Sequence, residues 1–321
     1  MPMDVIDQAN RLVASGQRQA AVDLVRGAAD AGDPNALFAV ANWRLFGMYG
    51  PRDEAGAHVL LDRAVATGST EATRLKATLL ANGTGCQADR AAAEELLEQI
   101  KDHDPNVAKQ LRLIAASDAR ADGLGDGSER LSDDPDIRVV RKLLSADECG
   151  YLITAAQPEL RPSFVVDPRT GGHMPHPVRT SSGMNFPPTL EDLVVTAINR
   201  RLAAATGTAV ECGEPLYVLR YAPGQEYKPH LDAMPSVDNQ REWTVLTYLN
   251  DGYTGGETRF DLLGIEFRGE PGDALIFRNV DSAGALDPRL RHAGVPVQSG
   301  IKWLATRWIR AKPHDPWTVS H

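Results

Sequence analysis

The chain has 321 residues, enough for about two domains with a proper core. Its net charge of −9 comes without a basic stripe, which excludes a nucleic-acid binder, and it has no apolar run of some twenty residues to span a membrane. The start, Met1-Pro2-Met3-Asp4, lacks a secretion signal, and the scattered Cys86, Cys149 and Cys212 have no metal-ligand spacing, so a reducing cytoplasm is the expected location.

Residues 1–116 carry a repeat of 36 positions. Gly32 recurs as Gly68, Ala36 as Ala72, Gly47 as Gly83, Asp53 as Asp89, Ala55 as Ala91, and Leu60-Leu61 as Leu96-Leu97. A weaker third copy begins near Asp104-Pro105-Asn106. Ala21, Leu24, Val25 and Ala28 have helical spacing, which predicts paired amphipathic helices. The turn between the first two helices is placed at Ala31-Gly32-Asp33-Pro34, where Gly32 stops one helix and Pro34 opens the next. The pattern resembles the Sel-like repeat, a relative of the tetratricopeptide repeat. Such units stack because no single pair buries its own face, and the stack presents a concave surface. Docking of a protein partner there and mere packing against the rest of the chain are equally compatible with the sequence.

Residues 117–137 hold seven acids (Asp118, Asp122, Asp126, Glu129, Asp133, Asp134, Asp136) against Arg120 and Arg130, a balance of −5, together with Gly123, Gly125 and Gly127. They read as a flexible, solvated linker. Ser145-Ala146-Asp147-Glu148 is a capping box that opens a helix through Ala156. Thr189 is expected to cap a second helix that buries Leu190, Leu193, Val194, Ile198 and Leu202 and ends near Gly207. The remainder is short strands rich in Val, Leu, Tyr and Trp between Gly/Pro/Asp turns. That pattern predicts a multidomain protein, with an all-α helical repeat followed by a two-sheet jelly roll (double-stranded β-helix) over residues 138–321. Asp167 to Pro177 is expected to be a lid.

Chemistry concentrates near the end of the chain. His230-Leu231-Asp232 is followed by His292 and then Lys302. Residues two apart in a strand share a face, so His230 and Asp232 can reach one ion, and the third ligand comes from another strand. Two imidazoles and a carboxylate hold non-haem Fe(II) on one face and leave other positions open. A cation just beyond the distal histidine suits a dicarboxylic co-substrate such as 2-oxoglutarate. The bland alternatives are a hydrogen-bonded His230–Asp232 pair beside a core histidine, or a structural zinc site, which would usually need cysteines that this chain does not offer. Lys302 by itself could be a solvated strand residue, and Tyr221, Tyr227 and Trp308 ordinary sheet aromatics.

The context is more specific. Val218-Leu219-Arg220-Tyr221-Ala222-Pro223-Gly224-Gln225-Glu226-Tyr227-Lys228-Pro229-His230-Leu231-Asp232 resembles the iron-binding strand of prolyl 4-hydroxylases. Thr244 to Asn250, Gly255-Gly256-Glu257-Thr258-Arg259-Phe260, Gly272 to Phe277, and His292 through Lys302 to Ile309 are similar to the same family, in order. Arg179-Thr180-Ser181-Ser182-Gly183-Met184 resembles the segment after the family's substrate loop.

By resemblance, His230, Asp232 and His292 are the iron ligands, and Lys302 pairs with the far carboxylate of 2-oxoglutarate, assisted by Tyr221 and Thr258. Tyr227, Arg241 and Trp308 match positions beside the reacting side chain, and Arg179, Thr180 and Ser181 belong to the substrate loop. The chain departs from the family in a shorter stretch from Asp232 to Arg241 and in Arg291 before the distal histidine. The resemblance implies Fe(II), 2-oxoglutarate and O₂, with ascorbate as reductant, and hydroxylation of a prolyl residue at C4 in a peptide or protein. A hydroxylase of a free amino acid or other small molecule, and a repeat adaptor with a degenerate barrel, are the alternatives.

Overall fold

The computed structural model describes residues 4–121, 128–166, 173–175, 178–281 and 283–317. The chain divides into two compact units: Met1–Ala115 with Pro188–Leu193, and Ala116–Pro187 with Val194–His321.

The first unit is helical: α1 (Val5–Ala14), α2 (Arg18–Asp30), α3 (Pro34–Leu45), α4 (Glu54–Ala66), α5 (Thr70–Asn82), α6 (Arg90–Glu98) and α7 (Pro105–Ala121), the last running past the unit's boundary. The 36-residue period reappears as matching caps. Asp33 and Ser69 accept from Ala36 N (2.9 Å) and Ala72 N (3.3 Å), and Asp53 and Asp89 accept from Gly56 N (2.8 Å) and Ala92 N (3.0 Å). Each cap satisfies an orphan amide of its helix's first turn. Gly32 and Gly68 turn the chain at φ +92° and +85°, a conformation that only glycine adopts cheaply. Ala36 and Ala72, and Ala57 and Ala93, are fully buried pairs at the same repeat positions, and their small size lets the helices approach closely. Asp104 Oδ1 starts the third copy by accepting from Asn106 N (2.9 Å) and Val107 N (3.3 Å). One helix escaped the sequence reading: α1 precedes the repeat, so the Ala31–Pro34 turn joins the second and third helices.

In the second unit come β1 (Ser128–Ser132), β2 (Ile137–Val140), α8 (Ala146–Ala156), β3 (Arg161–Pro162), β4 (Phe164–Val166), β5 (His173–Pro175), β6 (Ser182–Asn185), α9 (Leu193–Thr206), β7 (Tyr217–Tyr221) and β8 (Tyr227–His230). The chain continues through β9 (Arg241–Tyr248), β10 (Tyr253–Gly255), β11 (Thr258–Phe260), β12 (Ile265–Phe267), β13 (Ala274–Arg278), β14 (His292–Gly294), β15 (Val297–Gly300) and β16 (Lys302–Arg310). An eight-stranded sheet has the order β1-β2-β13-β9-β16-β7-β6-β3, and a four-stranded sheet the order β12-β11-β14-β8. β10 pairs with β15, β4 pairs with β5, and all pairings are antiparallel. Phe260 of the small sheet meets Phe277 of the large one edge-on at 5.2 Å, within a core that includes Leu219, Tyr248 and Leu304. This is a two-sheet jelly roll. Along β16 the residues alternate, with Lys302, Leu304, Thr306 and Trp308 lining a cavity. Arg307, between them, points the other way and donates to Asn199 O of α9 at 2.7 Å, which sets that helix on the outer side of the sheet.

Two expectations need correction, and a third is only partly described. Residues 117–137 are not a linker throughout, because α7 runs to Ala121 and Ser128–Ser132 forms an edge strand paired with β2. That strand has no apolar alternation to betray it; its Glu129 pairs with Arg141 at 2.6 Å, and its charge suits an exposed edge. Residues 122–127 lie outside the described residues. Ser145 does cap α8, with both halves of the capping box present, but the second helix begins at Leu193 and leaves Leu190 45% exposed. Its end agrees, since Gly207 N donates to Ala204 O at 3.1 Å. Of the expected lid, only His173–Pro175 is described, paired with Phe164–Val166; the rest lies outside the described residues.

Candidate metal centre and active site

His230 and His292 are register partners across β8 and β14. Their rings lie 4.4 Å apart, and with Asp232 their donor atoms fall within 4.8 Å of one another. His230 Nδ1 bonds Lys228 O at 2.8 Å and His292 Nδ1 bonds Leu290 O at 3.0 Å. A carbonyl can only accept, so each Nδ1 carries the proton and each Nε2 presents a lone pair. The Nε2 atoms lie 3.5 Å and 3.7 Å from the Asp232 oxygens, long for hydrogen bonds. Burial alone would raise the Asp232 pKa, but His292, His230 and Thr244 outweigh it and hold the carboxyl well below the usual range. Burial, aided by His230, pushes His292 down to about 4, so it is neutral and able to ligate at ordinary pH. Two imidazole Nε2 atoms gathered beside an ionised carboxylate are a donor set that a divalent iron requires, and the residues fit it. No cysteine joins the cluster.

The cluster sits in the wall of an open cavity whose apolar lining includes Leu219, Leu246 and Leu304. Lys302, 3% exposed, lines the same cavity. Its Nζ donates to Gly256 O at 2.6 Å and lies over the rings of Tyr221 (5.6 Å) and Tyr248 (5.4 Å). Among the described residues no carboxylate pairs with it within 4.0 Å, and burial pushes its pKa down to about 8. Tyr221 and Thr258 also line the cavity, and burial raises the Tyr221 phenol, which stays protonated as a donor.

Tyr227 stacks on His230, and Trp308 forms part of the wall. Arg241 does not line the cavity. Glu214 holds it through two bonds of 2.6 and 2.8 Å, and its guanidinium carbon lies 4.0 Å from the Trp308 ring centroid. Arg179, Thr180 and Ser181 lie beside the cavity. Arg179 bonds Ser163 Oγ (3.1 Å) and Tyr217 Oη (3.3 Å) and lies over the Tyr227 ring, Thr180 bridges to Glu226, and Ser181 meets Ser163 at 3.2 Å.

The family model for the 2OG-Fe(II) oxygenase superfamily matches residues 216–310, which contain the whole cluster and Lys302. Prolyl 4-hydroxylase 1 of Arabidopsis thaliana is 39% identical over 209 residues, covering 57% of this chain and 72% of the relative. The chain belongs to the prolyl 4-hydroxylase family. Probable prolyl 4-hydroxylase 3 of the same plant is 36% identical over 222 residues, covering 60% of this chain and 77% of that one. Among solved structures, the viral collagen prolyl hydroxylase vCPH of Paramecium Bursaria Chlorella virus-1, in its 2OG complex, is 30% identical with a TM-score of 0.45, covering 55% of this chain and 96% of that chain.

Within this prolyl 4-hydroxylase-family site, three residues were missed in the sequence. Tyr248 Oη shares a hydrogen bond of 2.8 Å with Thr258 Oγ1 beneath the Lys302 ammonium. Thr244 and Asn279 stand behind Asp232. The alternation of β9 placed Thr244 and Tyr248 on one face, four residues apart, and so offered a faint signal for both. Asn279 follows a strand in an irregular segment, and nothing local marked it.

Proposed function

We propose that this chain hydroxylates a prolyl residue, at C4, in a peptide or protein, while 2-oxoglutarate is decarboxylated to succinate. The observation that carries the reading is the buried ammonium of Lys302, with no carboxylate within 4.0 Å among the described residues, in the same cavity as the His230–Asp232–His292 cluster. Glu257 offsets part of the cost of this buried cation from a distance, and a dicarboxylic co-substrate supplies a direct partner. The identity to plant prolyl 4-hydroxylases supports the prolyl target.

In this reading His230, Asp232 and His292 hold Fe(II), and Lys302 binds the far carboxylate of 2-oxoglutarate with Tyr221 and Thr258 as hydroxyl partners. When bound, the iron activates O₂, whose two oxygen atoms end in succinate and in the new hydroxyl, while one carbon leaves as CO₂. The protein aims the C–H bond and excludes water. Tyr227 and Trp308 flank the reacting proline, and the Trp308 indole N–H, buried without an acceptor among the described residues, is available to a substrate carbonyl. Arg241 acts through Trp308, which it covers, and Arg179–Ser181 border the entry. Ascorbate serves as the reductant.

The test is succinate release with Fe(II), 2-oxoglutarate and ascorbate across proline-containing peptides, with mass spectrometry for the gain of one oxygen. Turnover of free proline with no turnover of peptides would overturn the peptide assignment.

We also propose that the helical repeats dock the polypeptide substrate, with the barrel as the catalytic domain. Stacked helix pairs present the kind of concave surface that does so. A chain shortened to residues 117–321 should keep turnover on a short peptide and lose its advantage on a long one, because docking raises the local concentration of the target. Equal turnover on both would remove the docking role. Placement in the cytoplasm is supported by the cysteines Cys86, Cys149 and Cys212, none of which joins a disulfide. No helix among the described residues is long and apolar enough to cross a membrane.

A further inference from the structure

Two buried polar side chains behind Asp232 have no part in the roles assigned above. Thr244 is fully buried in β9, and its Oγ1 lies 2.7 Å from Asp232 Oδ2. Asn279, 2% exposed just beyond β13, places Nδ2 2.9 Å from Thr244 Oγ1. The direction of both bonds follows from the carboxylate. An ionised carboxylate only accepts, so the Thr244 hydroxyl donates to it, and Thr244 must then accept from the Asn279 amide, which fixes the amide's orientation.

The backbone of Asn279 opens a second arm. Its N–H donates to Glu242 O at 2.7 Å, and its carbonyl accepts from Asp287 N at 3.3 Å. Asp287 O then accepts from Leu290 N at 3.1 Å, and Leu290 O holds His292 Nδ1 at 3.0 Å. One residue is therefore tied to the carboxylate through its side chain and to the distal histidine through its main chain.

A carboxylate turns easily about its last torsion, because that torsion is broad. With neither oxygen held, Asp232 could clasp a metal through both and close a position that co-substrate or O₂ needs. A donor on Oδ2 removes that freedom and leaves Oδ1 to the ion. We infer that Thr244 and Asn279 are positioning residues that hold Asp232 as a one-oxygen ligand, Thr244 directly and Asn279 by orienting the threonine. The inference rests on the metal-site reading above.

The probe is Co(II), titrated anaerobically into the full chain and followed by its visible absorption. Thr244→Val keeps the shape and removes the hydroxyl. Its dissociation constant for Co(II) should rise by about 10- to 100-fold, the usual effect of losing a partner of a metal ligand, and its spectrum should change. Thr244→Ser restores the hydroxyl and should return both to near wild type, which repacking alone would not achieve. Wild-type affinity and spectrum in Thr244→Val would overturn the inference. Should Thr244→Val not fold, Asn279→Leu carries the test: Co(II) affinity must fall several-fold, and unchanged affinity overturns the relay. His292→Ala separates the two readings. If it too binds Co(II) normally, the metal site itself is wrong; if it fails to bind while Thr244→Val binds normally, only the positioning role falls.

Discussion

The rings of Tyr227 and His230 lie stacked, their centroids 3.4 Å apart and their planes 15° from parallel. With Nδ1 bonded to Lys228 O, this contact leaves the imidazole one orientation. Tyr227→Phe retains the stacking face and should bind Co(II) within about twofold of wild type, since only the hydroxyl at the cavity is lost. Tyr227→Ala frees the ring and should weaken Co(II) binding by about tenfold, as loss of an orienting partner does. Equal affinities in the two variants would show that the stack does not position the ligand.

Removing a ligand outright is a harsher change. His230→Ala and His292→Ala should lose Fe(II) and turnover yet stay folded, because β8 and β14 remain paired with each other through backbone bonds. Metal content and circular dichroism check this. Near-native succinate release with native iron content in either variant would break the triad assignment.

At the co-substrate end, Lys302→Met leaves the far carboxylate of 2-oxoglutarate in a buried pocket without its cation. Losing one partner of a desolvated pair costs roughly 2–5 kcal/mol, so the KM for 2-oxoglutarate should rise at least about tenfold. Co(II) affinity should change little. A KM for 2-oxoglutarate that stays at the wild-type value would place Lys302 outside the site.

The same lysine gives a pH dependence. Burial lowers its pKa from the ordinary value to about 8, so the ammonium is already charged below that pH and must take up a proton to bind the anion above it. Affinity for 2-oxoglutarate should be flat below pH 8 and fall by up to about tenfold per pH unit above it. Calorimetric titration with Co(II) present checks the slope, and Lys302→Met should show none of it.

Arg241 should act on substrate rather than cofactor. Arg241→Ala uncovers Trp308 and leaves Glu214, whose side chain is 5% exposed, with Arg310 as its remaining cation at 2.8 Å. Because one partner stays, the loss of stability should be less than the roughly 3–5 kcal/mol of a fully broken buried pair. The KM for peptide should rise while that for 2-oxoglutarate and the Co(II) affinity hold. A variant that weakens all three equally would mark Arg241 as structural only.

What the sequence disclosed depended on how local each signal was. His230 and Asp232 are two apart in the sequence, His230 ending β8 and Asp232 lying just beyond it rather than on the strand as expected, and Lys302 opens β16 ten residues after the distal ligand, so pattern and chemistry coincided. The helical repeat was visible because its caps and alanines recur at a fixed interval. The Thr244–Asn279 support was hidden, since its members are 35 residues apart and meet only when β9 and β13 pair. Strand β1 was hidden for another reason: this short edge strand packs only Leu131 against the core, so it has no apolar alternation, and the acids around it read as a tether. The start of α9 was misplaced because Leu190 looked like a core residue but stands before the first turn, exposed.

Gly256 accepts the Lys302 ammonium through its carbonyl and holds φ at +72°. A β-carbon there would come within 3.2 Å of both the Lys302 chain and Val297. The lysine is therefore held between a backbone whose φ favours glycine and the rings of Tyr221 and Tyr248, while His230 and His292 are bonded to the carbonyls of Lys228 and Leu290. Both ends of the cavity are thus held by main-chain groups. A diacid one carbon longer than 2-oxoglutarate should therefore bind more weakly at these two ends, which competition against 2-oxoglutarate checks.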